Sequence, residues 1–160
     1  MREPAKSAVQ LPRGAIKIGA AARRFDVSVD LLRLYEREGL LIPIKSPKGT
    51  RYFAEEDLRW ISVIRRLVHE AGLNFAGLRR LLALLPCWEI RGCGYQRKQG
   101  CPVIRDASTP CWGNHACSCA ASQDCYSCPV YRAAPLSENL KALLAAPAES
   151  TPFVSITTLQ

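Results

Sequence analysis

Eight cysteines, Cys87, Cys93, Cys101, Cys111, Cys117, Cys119, Cys125 and Cys128, lie within 42 residues, and the first half of the chain has none. In a reducing compartment clustered thiols read as metal ligands or redox groups before they read as disulfides. Iron–sulfur ligation, structural zinc and cross-linking are the three chemistries open to them. Eight thiolates suffice for two four-coordinate sites of either metal type, or for one cluster with spare thiols. His115 is a candidate ninth ligand, though a lone loop histidine is more often simply exposed. Zinc sites favour pairs two to four residues apart, and only Cys125 and Cys128 form such a pair. Cys117 and Cys119 are tighter, and the other gaps run from five to nine residues. Thiol–disulfide exchange at Cys125 and Cys128 would want its C-x-x-C at the start of a helix in a βαβ setting, which is missing, and Pro129 follows instead. No enzymatic activity is expected.

The segment around these cysteines is rich in Gly, Pro and Ser and poor in aliphatic residues, so burial alone does not order it. Bound metal or cross-links must supply the missing stability. Trp88 and Trp112, each following a cysteine, are expected to shield sulfur from water.

The other chemistry on the chain is charge. Residues 1–86 hold 16 Lys and Arg against 9 Asp and Glu, whereas residues 87–160 hold 6 against 5. Seven of the eight net positive charges therefore belong to the first half. A basic domain attracts polyanions, with nucleic acid the first choice and an anionic membrane surface the competitor. No stretch approaches the roughly 18 apolar residues of a membrane span, and the first fifteen residues lack an apolar h-region, so a cytoplasmic protein is expected.

The elements that position these groups follow from periodicity. Residues 1–15 read as a disordered leader. Ile18, Ala21, Ala22 and Phe25 share one helical face, and a turn follows at Asp26-Val27. Ser28 caps a second helix carrying Leu31, Leu32 and Tyr35, which Gly39 ends. Leu40 to Phe53 reads as a two-stranded hairpin with a basic tip at Ser46-Pro47-Lys48-Gly49. Glu55, Glu56 and Asp57 then open a third helix with the stripe Leu58, Ile61, Ile64, Leu67 and Val68, and Gly72 closes it. Asn74 caps a fourth helix, whose face is Leu78, Leu81, Leu82 and Leu85 and whose stop is Pro86. A short helix is expected over Ser137 to Ala145.

Two short helices, a basic hairpin and two longer helices describe a winged helix-turn-helix. The expected fold is mainly α, with this domain at 16–86, a loop-rich, metal-stabilised cysteine module at 87–132, and a short helix and tail at 133–160. Ser28 and Asp30 stand at the start of the helix that would enter the major groove, while Lys48 and Tyr52 lie on the hairpin.

The segments Ile18-Gly19, Val27-Ser28-Val29-Asp30, Leu32-Arg33, Tyr35 to Leu41, Gly49-x-Arg51-Tyr52 and Glu55 to Leu58 resemble the MerR family of transcription regulators over residues 16–85. The resemblance implies phosphate contacts from Arg33, Tyr35 and Arg51, a homodimer that bends and untwists promoter DNA, and RNA polymerase as the partner that then engages it. Arg23, Arg24 and Lys45 are expected to be solvated. Two positions depart from the pattern: Leu34 replaces an aromatic, and Ala54 replaces the usual Ser or Thr cap, which predicts a frayed start to the third helix. The long dimerisation helix of the family has no counterpart after Pro86.

Within the module, Cys117, Cys119, Cys125 and Cys128 are spaced by the same three gaps, in another order, as in the cluster loop of the redox regulator SoxR, which they resemble. Cys87-Trp88-Glu89, Cys93, Cys101-Pro102, Cys111-Trp112, Cys117 and Cys125-x-x-Cys128-x-Val130-Tyr131 resemble the two-CW modules of bacterial signalling proteins, in which Cys119 is surplus. The expected function is a DNA-binding transcription regulator whose module holds an iron–sulfur cluster and senses redox stress. The alternative is a regulator with structural zinc whose module binds a partner protein or small ligand.

Overall fold

A computed structural model of the chain describes residues 11–92, 100–106, 108–113 and 124–145. The expectations for residues 1–10, Cys93, His115, Cys117, Cys119 and 146–160 lie outside the described residues. The chain divides into two compact units, Met1–Ser62 and Val63–Gln160. This division falls inside the third helix and not at Pro86.

In the first unit β1 (Ile16–Lys17) precedes α1 (Ile18–Arg24) and α2 (Val29–Arg37), and β2 (Ile44–Lys45) and β3 (Arg51–Phe53) follow. The sheet has three strands in the order β1-β3-β2, all antiparallel, where a two-stranded hairpin was expected. Ile16 pairs with Phe53 and Lys17 with Tyr52. A two-residue strand has no periodicity to announce it.

α1 ends in a tight closure: Val27 N–H donates to Ala22 O at 3.0 Å and Asp26 N–H to Arg23 O at 3.2 Å. Asp26 takes φ +50°, a left-handed conformation that Asp tolerates better than most side chains. The Ser28 hydroxyl accepts the Leu31 N–H at 3.0 Å and caps α2, as its residue type predicts. Gly39, at φ +70°, ends α2 in a Schellman closure, with Leu40 N–H on Tyr35 O at 2.9 Å and Gly39 N–H on Glu36 O at 3.0 Å.

Ala21, Leu32, Tyr35, Leu40, Leu41, Phe53, Leu58 and Ile61 are buried and form the core of this unit. Trp60, outside the expected stripe, is also buried, and its indole N–H donates to Leu40 O at 2.7 Å. α3 spans Glu55–His69 and begins directly after Ala54. The buried Asp57 carboxylate accepts the Ala54 N–H at 2.8 Å, so the reciprocal half of a capping box replaces the missing hydroxyl.

In the second unit Asn74 caps α4 (Phe75–Ala83) by accepting the Gly77 N–H at 2.7 Å. Leu78, Leu82 and Leu85 are buried. The short helix α5 (Cys87–Ile90) packs against the turn Pro129–Arg132, and Val103, Val130, Tyr131 and Ala134 complete a small core. The expected helix at Ser137 to Ala145 is instead a 3₁₀ segment, Ala134–Asn139, running into an α-helix, Leu140–Ala145. The Asn139 carboxamide, accepting the Ala142 N–H at 3.2 Å, marks the change. Arg66 on α3 grips Glu138 with two hydrogen bonds of 2.7 and 2.8 Å. Hydrogen bonding to Arg66 holds the Glu138 carboxyl below its ordinary value, more than partial burial raises it.

Candidate nucleic-acid interface

α2 presents its polar face to solvent because Leu32 and Tyr35 fill the core from its other side. Asp30 and Arg33 stand on that face, exposed and paired with each other at 3.1 Å. The pair spans one turn and is held loosely in high dielectric, so Arg33 can exchange its carboxylate for a phosphate at little cost. Ser28 is exposed at the start of the same helix, its oxygen occupied by the cap.

Tyr35 requires a correction. Its relative exposure is 0%, so it packs in the core and does not present a phosphate contact. The helical spacing with Leu31 and Leu32 was the sign of that role.

The hairpin carries the remaining bases. Lys48 is exposed in the turn, where Gly49 at φ +80° lets the chain reverse and its N–H returns to Ser46 O at 2.8 Å. Tyr52 is half-buried at the centre of the sheet, paired to Lys17 on one side and Ile44 on the other. Lys45 and Arg51 are direct cross-strand partners, and like charges so placed repel. Glu36 on α2 resolves the conflict. Its carboxylate takes Lys45 Nζ on one oxygen at 2.7 Å and Arg51 Nε on the other.

Burial of Glu36 pushes its pKa up, but the hydrogen bonds from Arg51 and Lys45, with their charges, outweigh this and hold it below the ordinary 4.5. α2 and the hairpin are thereby tied through one ionised group. Lys45 is exposed, as expected, and is also paired with Glu36. The pairing was not legible in the sequence, because it depends on the strand register of Lys45 with Arg51.

Arg24 is exposed, as expected, and pairs with Glu55 at the start of α3 through bonds of 3.3 and 3.2 Å. Among the described residues Arg23, Arg37 and Lys48 have no ion-pair partner. These exposed cations, with Arg33, give the unit a surface suited to backbone phosphates.

Five cysteines of the second unit are described, and none is in a disulfide with another described cysteine. Four of them open short helical turns beside a proline: Cys87 after Pro86, Cys101 before Pro102, Cys111 after Pro110, and Cys128 before Pro129. Proline pre-sets the backbone for a first helical turn, so each cysteine is placed by a local rule. α5 packs on the turn Pro129–Arg132, and the end of α5 at Arg91 meets Cys128. Arg91 donates to Cys128 Sγ at 3.5 Å. Trp112 meets the Tyr131 ring edge-on at 5.3 Å, and the Arg132 guanidinium lies 3.9 Å from the Tyr126 ring centroid. No group of three or more metal-ligating side chains is assembled among the described residues.

No helix among the described residues is long and apolar enough to cross a membrane. Residues 16–85 match the family of MerR HTH family regulatory proteins. The chain is 38% identical over 64 residues to the HTH-type transcriptional regulator AdhR of Bacillus subtilis (strain 168), a match covering 39% of this chain and 45% of that protein. The match thus spans under half the length of this curated relative. No solved structure matches. The capped helix α2, the hairpin and the helix α3 follow one another over residues 16–85, the stretch that matches the MerR HTH family regulatory proteins.

Proposed function

We propose that this chain is a transcription regulator of the MerR type, acting as a homodimer on promoter DNA and presenting the distorted promoter to RNA polymerase. The observation that carries the reading is the joining of α2 to the wing through Glu36, beside exposed Arg33, Arg37 and Lys48. Such a surface supplies mostly backbone contacts, which position a protein and leave sequence choice to a few side chains and to DNA deformability. Footprinting on a promoter library tests it. Protection of two half-sites about one helical turn apart, or a multiple of it, is expected. A single protected half-site with a monomeric mass on DNA overturns the dimer.

The second part of the proposal is that residues 87–128 hold an iron–sulfur cluster and report redox state to the DNA-binding domain. The donor set suits it: eight thiols within 42 residues, and a guanidinium donating to one sulfur, a type of contact that tunes such clusters. A bound cluster supplies a change of one electron, and therefore of one charge. This chain's own residues would supply the ligands, with Cys87, Cys101, Cys111, Cys125 and Cys128 the described candidates and Arg91 the donor to Cys128. Anaerobic purification with iron, sulfide and zinc analysis tests it. Brown protein with iron and sulfide in comparable amounts is expected, whereas colourless protein with zinc and no sulfide overturns it in favour of a structural metal.

A further inference from the structure

The Arg51 guanidinium is engaged on one edge only. Its Nε donates to Glu36, and among the described residues its two terminal nitrogens have no hydrogen-bond partner. Arg51 is partly exposed, while the Glu36 side chain is largely covered. The other oxygen of Glu36 holds Lys45 at 2.7 Å, so one carboxylate on the recognition helix fixes both bases of the wing strands. A guanidinium presents its donors in a rigid fork, and fixing one edge fixes the direction of the other.

From this we infer that Glu36 is a positioning residue for DNA binding: it steers the free terminal nitrogens of Arg51 toward a single backbone phosphate, where they can bind two oxygens at once. The inference rests on the DNA-binding reading above. It runs against simple electrostatics, in which a carboxylate near a phosphate-binding surface weakens binding and its neutralisation strengthens it. The two accounts predict opposite signs for one substitution.

Glu36→Gln retains the shape of the side chain, removes the charge and keeps at most one of the two bases in place. Affinity of the full chain for a mixed-sequence DNA duplex is measured across a salt titration, with thermal unfolding confirming that each variant is folded at the assay temperature. The expected result is about tenfold weaker binding for Glu36→Gln with a shallower salt dependence, as for loss of a phosphate contact. In an Arg51→Ala background the same change no longer weakens binding, because there is no fork left to steer. Arg51→Lys, a point charge without a fork, loses affinity like Glu36→Gln although the charge is kept. Wild-type binding with equal or tighter binding by Glu36→Gln overturns the positioning role alone. Equal weakening by Glu36→Gln with and without Arg51 overturns it too, since the effect then does not pass through Arg51. A wild-type chain that fails to bind duplex at low salt overturns both this inference and the regulator reading.

Discussion

The Asp57 carboxylate accepts the Ala54 N–H inside the core at 2.8 Å, and this bond stands in for the hydroxyl cap that α3 lacks. Asp57→Ala leaves a buried donor without its acceptor, and the expected loss is about 1–3 kcal/mol. Urea unfolding followed by helical signal checks it. A midpoint unchanged from wild type would show that α3 does not depend on this closure.

At Asp26 the backbone is left-handed, with φ +50°. Asp26→Asn and Asp26→Gly are expected to stay within about 1 kcal/mol of wild type, since Asn tolerates this region and the entropy cost of Gly offsets its freedom from strain. Asp26→Val, whose branched side chain does not tolerate it, is expected to lose about 1–2 kcal/mol. Thermal unfolding of the three variants separates backbone strain from any role of the carboxylate.

Glu36 has a folded-state pKa below 4.5, so it contributes stability that is fully present above that value and disappears as pH falls through the folded pKa. Wild type should therefore lose stability in acid faster than Glu36→Gln, and the two curves should converge below the folded pKa. Glu138 shifts in the same direction, and subtraction of the two curves removes its contribution. Parallel curves would mean that Glu36 titrates alike folded and unfolded.

Arg33 is expected to trade Asp30 for a phosphate. Arg33→Ala should weaken binding to every duplex alike and reduce the salt slope by about one unit, whereas Asp30→Asn should strengthen binding. Unchanged affinity of Arg33→Ala across the titration removes it from the interface.

Chelation should unfold the cysteine segment and leave most helical signal, because the helices of 16–85 rest on leucine and isoleucine burial and the short turns beyond Pro86 do not. A red shift of tryptophan emission from Trp88 and Trp112, with little change in far-UV dichroism, is the expected record. Joint loss of both signals would mean that the DNA-binding domain also depends on metal.

Periodicity and caps made the four main helices readable, because Ser28, Gly39, Asn74 and Pro86 act through rules that need only neighbouring residues. Roles that depend on partners distant in the chain were hidden. Tyr35 has the same motif position whether it faces phosphate or core, and its burial settles the matter. Glu36 was visible only as part of a matching segment, since its function requires Lys45 and Arg51 to meet across a register that no local rule states. The pairing of Ile16 with Phe53 was invisible for the same reason. In the cysteine segment, proline placement marked where turns begin, but the grouping of sulfurs is a long-range property that spacing does not encode.

That pairing of Ile16 with Phe53 also sets an order of events. Both helices that would face DNA lie between two strands that meet, so the segment is a loop closed at its ends. On the ribosome, Ile16 and Lys17 emerge well before their partners, and α1 and α2 complete their surroundings only once Phe53 has cleared the exit channel. Contacts of wide sequence separation are slow to form, which makes closure of this clasp the expected late step in birth of the domain. A nascent chain stalled before Phe53 would carry both helices without the strand that completes their sheet.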